Sequence, residues 1–281
     1  MTTTLSPGSS KVKFRLAGGP QPLILLPVQV NGRGPFEFIL DTGAGTSLLT
    51  PAVAQQLNLE LAGSKQGQTA GGPVSVSLAH VESLRVGEME VENVDVGIVD
   101  LAPIARAVGA NIDGDLGYNF LKDFRVTIDY RDCELVLADP KRIETLGRAT
   151  RTEVPIRLAN AAKPLILVDV HVNSRGPFQF AIDTGTSTTA LDTQLAENLG
   201  LTTAPVTPIT TGGAPLEVSA ATLPSFQLGG AKIDNMPVIV GGLLEMLSSV
   251  VGTKLDGIIG YNFLRNYKVV IDYPGETLAL I

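Results

Sequence analysis

One cysteine, two histidines and no tryptophan stand in a chain of 281 residues. A lone Cys133 excludes an intrachain disulfide and a cysteine-built metal site, and His80 and His171 are too few for a histidine-rich zinc centre. Neither histidine lies in a recognisable motif, and Cys133 sits in a turn-like Arg-Asp-Cys-Glu stretch, so an oriented Ser–His or Cys–His pair is not expected. These three residues, and the paired Arg33 and Arg175, are read as structural or solvent-facing. No run of about 18 apolar residues exists, so no membrane insertion is expected. The opening MTTTLSPGSS has neither a basic nor an apolar signal-peptide region and reads as disordered; compartment stays open. Charged residues make up only 17%, and a net charge of -7 disfavours nucleic acid or an anionic membrane as the main partner.

What the chain does have is an apolar fraction of 44%, led by Val, Ile and Leu, with 30 Gly and 18 Pro. That balance describes a folded, turn-rich protein rather than a disordered one. It also has a repeat. PVQVNGRGPFEFILDTG (27–43) returns as VDVHVNSRGPFQFAIDTG (168–185), and from Val28 to Gly43 eleven of sixteen positions are identical at an offset of 142. The offset becomes 143 where DLGYNFL (115–121) matches IIGYNFL (258–264) and VTIDY (126–130) matches VVIDY (269–273). A whole domain is duplicated, not a short solenoid unit.

Each copy reads mostly as strand. Val28–Val30 and Phe36–Leu40 are joined by Asn-Gly-Arg-Gly-Pro, a hairpin signal, and Asn173–Pro177 repeats it. One short helix follows each Asp-Thr-Gly, capped by Thr50 before Pro51 in the first copy and by Asp192 in the second. Short strands are expected at 74–79, 81–86, 91–98, 125–130 and 134–137, and further short helices near Pro103–Val108 and Leu243–Ser249. The class is all-β with few helices. The boundaries expected are a disordered leader at 1–19, an N-terminal lobe at 20–140, a polar linker at 141–153 and a C-terminal lobe at 154–281.

A carboxylate at the end of an apolar strand, followed by Thr-Gly, sits at a sharp turn that glycine permits. Alone it would be an Asx turn. Asp41 and Asp183 in matched settings instead point to two carboxylates working as a pair, each followed about 75 residues later by an apolar-Gly element, Leu116-Gly117 and Ile259-Gly260. Asp115 makes the first element less apolar than the second, where Ile258 stands. Asp113, Asp256, Asp129 and Asp272 are expected to serve turns or an interdomain sheet rather than chemistry.

DTGAGTS, DTGTSTT, the two GYNFL segments and the closing IDY segments together resemble the retropepsin-like aspartic proteases, as two tandem copies covering about residue 20 to 281. The resemblance implies two homologous lobes about a pseudo-twofold axis, with Asp41 and Asp183 catalytic. It implies that Thr42 and Thr184 bond across to the opposite loop, with Gly43, Ala44, Gly185 and Thr186 completing the loops. Glycine-rich flaps are implied at Thr69-Ala70-Gly71-Gly72 and Thr211-Gly212-Gly213, neither bearing a tyrosine. The expected reaction is hydrolysis of a polypeptide substrate beside apolar residues, with no metal, no cofactor and a single chain as the active unit. Thr186 offers Asp183 a hydroxyl that Ala44 cannot offer Asp41, so Asp41 is expected to be the more readily protonated member. The alternatives are a catalytically silent peptide binder of the same fold, a protease active only as a dimer of chains, and a β-protein whose Asp-Thr-Gly turns are purely architectural.

Overall fold

The computed structural model describes residues 8–69, 72–140, 152–161, 163–210 and 214–281. Each copy of the repeat forms one eight-stranded sheet, and the two sheets have the same strand order. In the first lobe the order is Arg15–Ala17, Leu23–Val30, Arg33–Leu40, Gly114–Leu116, Leu48–Leu49, Met89–Ile98, Gly72–Val86, Leu61–Thr69. Leu23–Val30 also pairs with Gly72–Val86, which curls the sheet into a barrel-like body. The side chains alternate as a strand period of two requires, so Leu26, Val28 and Val30 are fully buried while Pro27 faces out.

The lobes share a third sheet of six antiparallel strands, in the order Ser9–Lys13, Glu134–Ala138, Arg125–Asp129, Lys268–Asp272, Thr277–Leu280, Thr152–Pro155. The first three strands come from one lobe and the last three from the other. At its centre Thr127 lies opposite Val270, its own counterpart in the repeat, so the pseudo-twofold axis passes between them. Two ion pairs straddle the axis: Lys268 Nζ to Asp129 Oδ2 at 2.7 Å and Arg125 Nη2 to Asp272 Oδ2 at 2.6 Å. Both aspartates are buried and also accept turn amides, from Arg131 and Asp132 for Asp129 and from Gly275 for Asp272. Their expected role in the sheet and its turns is met.

Ser9–Lys13 and Arg15–Ala17 correct the expected leader, since both are paired strands. The partner of Ser9–Lys13 lies far along the chain, and nothing local in Ser-Ser-Lys-Val-Lys announces the pairing, whereas Arg15–Ala17 folds back on Leu23–Leu25 in a local hairpin. The expected linker lies outside the described residues from 141 to 151, while Thr152 and Glu153 already belong to a strand. The runs expected at 74–79 and 81–86 are one strand, Gly72–Val86. The helices Pro51–Gln56 and Thr193–Asn198 form where expected, with Thr50 Oγ1 accepting from Val53 N and Asp192 Oδ2 from Leu195 N. Arg33 and Arg175 each donate to the carbonyl at the end of that helix, Gln56 O at 3.0 Å and Asn198 O at 2.8 Å, a shared structural role. Ala102–Val108 and Leu243–Val251 supply the other expected helices. Among the described residues, no helix is long and apolar enough to cross a membrane.

The Asp-Gly pairs before each apolar-Gly element have a packing reason. Asp113 Oδ2 accepts Glu37 N at 2.8 Å and Asp256 Oδ2 accepts Gln179 N at 2.9 Å, tying each turn to the neighbouring strand. The glycines then lie flat on buried rings, Gly114 on Phe38 and Gly257 on Phe180. A Cβ on Gly257 would collide with Phe180, which has no free rotamer space. Gly257→Ala is therefore expected to cost about 1–3 kcal/mol by overpacking, read as a lower urea midpoint at unchanged m-value.

Candidate active site

Leu40 and Ile182 end the two central strands, and the chain turns sharply into Asp-Thr-Gly. Asp41 N donates to Leu116 O at 3.1 Å and Asp183 N to Ile259 O at 3.0 Å, so each apolar-Gly element does support its loop. Gly117 and Gly260 are glycines because the loop runs over them: a Cβ would fall 2.7 Å from Ala44 O and 2.6 Å from Thr186 O. The Tyr-Asn of each GYNFL segment locks the same loop from the other side. Tyr118 N donates to Ala44 O and Tyr261 N to Thr186 O, both at 2.8 Å. Asn119 Oδ1 accepts from the amide and hydroxyl of Ser47, and Asn262 Oδ1 from those of Thr189. Ser47 and Thr189 in turn accept the amides of Gly117 and Gly260.

The two loops meet on the axis through Thr42 and Thr184, both buried. Thr42 N donates to Thr184 Oγ1 at 3.1 Å, and Thr184 Oγ1 donates to Leu40 O at 2.7 Å. In the opposite sense Thr184 N donates to Thr42 Oγ1, and Thr42 Oγ1 to Ile182 O, each at 3.1 Å. Four buried hydrogen bonds thus fix one loop against the other. The carboxyls are brought face to face by the glycines: a Cβ on Gly43 would lie 2.7 Å from the Asp183 carboxyl, and one on Gly185 equally close to that of Asp41. A side chain at either position would displace the opposite acid.

Backbone donors fill the inner oxygens. Asp41 Oδ1 accepts Gly43 N at 2.7 Å and Ala44 N at 3.1 Å, and Asp183 Oδ1 accepts Gly185 N at 2.8 Å. Thr186 Oγ1 donates to Asp183 Oδ2 at 2.8 Å, the hydroxyl contact expected from sequence. The expected consequence does not follow. Loss of hydration and then the charge of Asp41 push Asp183 from 3.8 up to about 8, outweighing the pull of Thr186 and Gly185, and the two carboxyls hydrogen-bond to one another. Asp183 is thereby held towards its protonated form.

A third acid stands beside the pair. Asp115 lies on Gly114–Leu116, the strand parallel to Arg33–Leu40, and its carboxyl hydrogen-bonds to Asp41. The sequence marked Asp115 only as a break in an apolar element. Nothing in one dimension reveals that the parallel pairing turns it towards the dyad. Ser47, Thr189, Asn119 and Asn262 were likewise missed, although their recurrence at matching offsets was a usable signal.

Of the expected flaps, only the flanking strands lie among the described residues. In the first lobe Leu61–Thr69 pairs with Gly72–Val86 as a long hairpin, in register from Gly63–Leu78 to Thr69–Gly72, with a shift between Leu61 and Gly63. Ala70 and Gly71 lie outside the described residues, as do the side chain of Thr69 and all of Thr211, Gly212 and Gly213. Among the described residues the second lobe offers a shorter counterpart: Ala204–Pro205 on Ser219–Leu228, and one bridge between Ile209 and Leu216.

Fold and loops together define a class: a duplicated β-protein that presents one carboxylate loop from each lobe to a common axis. A family model for aspartyl proteases matches the chain twice, over residues 26–120 and 168–263, and the chain belongs to this family. Among curated proteins no match is found.

Proposed function

We propose that the chain is an aspartic endopeptidase whose dyad is Asp41 and Asp183. The observation that carries this is the pair of carboxyls that face each other over Gly43 and Gly185, held in register by the threonines of both lobes. Two acids this close share a proton, because ionising both would place like charges side by side in a poorly hydrated site. A water bound between them loses its proton to the Asp41 carboxylate as its oxygen attacks the scissile carbonyl carbon. Asp183 donates its proton to the carbonyl oxygen, and collapse of the tetrahedral diol expels the amine, which takes a proton back from the dyad. No covalent intermediate is required.

The substrate is an extended polypeptide lying between the lobes and adding a strand to the long hairpin of the first lobe. With both halves of the threonine grip in one chain, the active unit is the monomer. The deciding experiment incubates the full chain with an unbiased peptide library between pH 4 and 9 and reads new N-termini by mass spectrometry. Cleavage is expected, with kcat/KM falling about tenfold per pH unit above about 8 as Asp183 loses its proton. A tight transition-state inhibitor is expected to titrate one per chain at the monomer's elution volume. No cleavage anywhere in that range sinks the proposal, and one inhibitor per two chains sinks the monomer.

A further inference from the structure

Asp115 is a buried acid for which the dyad chemistry has no use. It is 7% exposed, and among the described residues no donor meets its buried Oδ1. Its register partners are Ile39 and Leu48, so apolar strands flank it. The groups that act on it electrostatically are the carboxyls of Asp41 and Asp183, neither of which can offer it a positive charge. Asp113, two residues before it, is already engaged by the amide of Glu37. The phenols of Tyr273 and Tyr130 also sense the cluster, from the Asp41 and Asp183 sides respectively; burial drives both far up, so they stay neutral. In the second lobe the same position is Ile258, packed in an apolar cluster, so the pseudo-symmetry breaks here.

A carboxylate without a donor, facing the shared negative charge of the dyad across poorly hydrated space, is not a stable arrangement. A carboxylic acid is, because it becomes the donor. We propose that Asp115 is a third acid of the centre, a positioning residue that remains protonated and donates to the Asp41 carboxyl, holding Asp41 as the base and leaving the dyad proton on Asp183. Asp41 then accepts from four donors: the amides of Gly43 and Ala44 and the carboxyls of Asp115 and Asp183. This compensates for the hydroxyl that Ala44 lacks. Where the second loop gives its carboxyl a hydroxyl donor in Thr186, the first draws its donor from the strand beneath. Burial, with the charge of Asp41 next, holds Asp115 well above the ordinary carboxylate range, in keeping with a group that does not ionise at neutral pH.

The assignment of a dyad rests on the proposed protease activity, but the protonation of Asp115 does not, and the test separates them. The full chain labelled with carboxyl-¹³C aspartate is titrated by NMR from pH 3 to 10, as wild type, Asp115→Asn and Asp115→Ile. At pH 7 wild type is expected to show two protonated aspartates, assigned to Asp115 and Asp183, and Asp115→Asn one fewer. In the peptide assay Asp115→Asn, whose amide still donates to Asp41, is expected to recover most of the kcat that Asp115→Ile loses and to hold the acidic limb below that of Asp115→Ile. Asp115→Ile, which copies the other lobe, is expected to lose about tenfold in kcat with KM little changed and to move the acidic limb up by about one pH unit, the size of one charge-assisted hydrogen bond. The proposal is overturned if Asp115→Asn loses no protonated carboxyl at pH 7, or if Asp115→Ile leaves the acidic limb unmoved. If no peptide is cut, the protease reading fails while the NMR count still decides Asp115.

Discussion

Asp183→Asn is expected to lower kcat/KM by roughly 10³-fold or more and, in the same molecule, to stabilise the fold at neutral and alkaline pH. The loss follows from the mechanism, since an amide cannot give its proton to the carbonyl oxygen and recover it. The gain follows from linkage. The Asp183 carboxyl sits at about 8 when folded and returns to about 3.8 when unfolded. Between those values the native state binds the extra proton, so stability falls as pH rises, by up to about 1.4 kcal/mol per pH unit for a single group. Below about pH 4 both states are protonated and the penalty is absent; above about 8 it is fully present. Asparagine does not titrate, so its advantage grows across that window. One of the two donors, Gly185 N or Thr186 Oγ1, then meets an amide NH₂, at a cost of about 1 kcal/mol. Urea unfolding is expected to show no gain near pH 4 and a gain that grows steadily towards pH 8. A residual slope remains from Asp115. Parallel curves for wild type and variant would mean that Asp183 does not hold the proton; flattening in Asp41→Asn instead would move the proton to the other loop.

The pairing of the acids was legible because the repeat wrote the same loop twice, and two copies of a strand-end carboxylate ask to be read together. The helix caps at Thr50 and Asp192 were legible for a local reason, a side-chain oxygen three residues before the amide it accepts. What escaped was set by distance along the chain. Ser9–Lys13 becomes a strand only because Glu134–Ala138 lies beside it. The four-residue helices Tyr118–Leu121 and Tyr261–Leu264 are too short to carry a period, and they exist to bring Asn119 and Asn262 under the loops. The raised proton affinity of Asp183 escaped for the same reason. Ala44 and Thr186 were compared as neighbours in sequence, whereas burial and the facing carboxyl of Asp41, 142 positions away along the chain, outweigh the Thr186 hydroxyl.

The second large effect is expected at the threonine grip, where shape and hydrogen bonding can be separated. Thr184→Val keeps the volume and β-branching of the side chain but removes the hydroxyl. Leu40 O loses its donor and Thr42 N its acceptor, both at the buried base of the opposite loop. Each orphaned buried group costs about 1–3 kcal/mol, so the variant is expected to lose about 2–4 kcal/mol in urea unfolding. Catalysis suffers separately. The grip sets the register of two carboxylates on different lobes, and a shift of about 1 Å there is worth about 10²-fold in kcat/KM. Thr184→Ser keeps the hydroxyl and is expected to recover most of both losses, which a purely steric role would not allow. Thr42→Val strands Ile182 O and Thr184 N in the mirrored sense and is expected to match Thr184→Val closely. The double variant is expected to lose less than the sum, because a loop freed by the first substitution can already turn its remaining polar groups towards water. If Thr184→Val instead retains wild-type kcat/KM, the carboxylates are registered by the six-stranded sheet alone, and the threonines serve only to satisfy buried backbone.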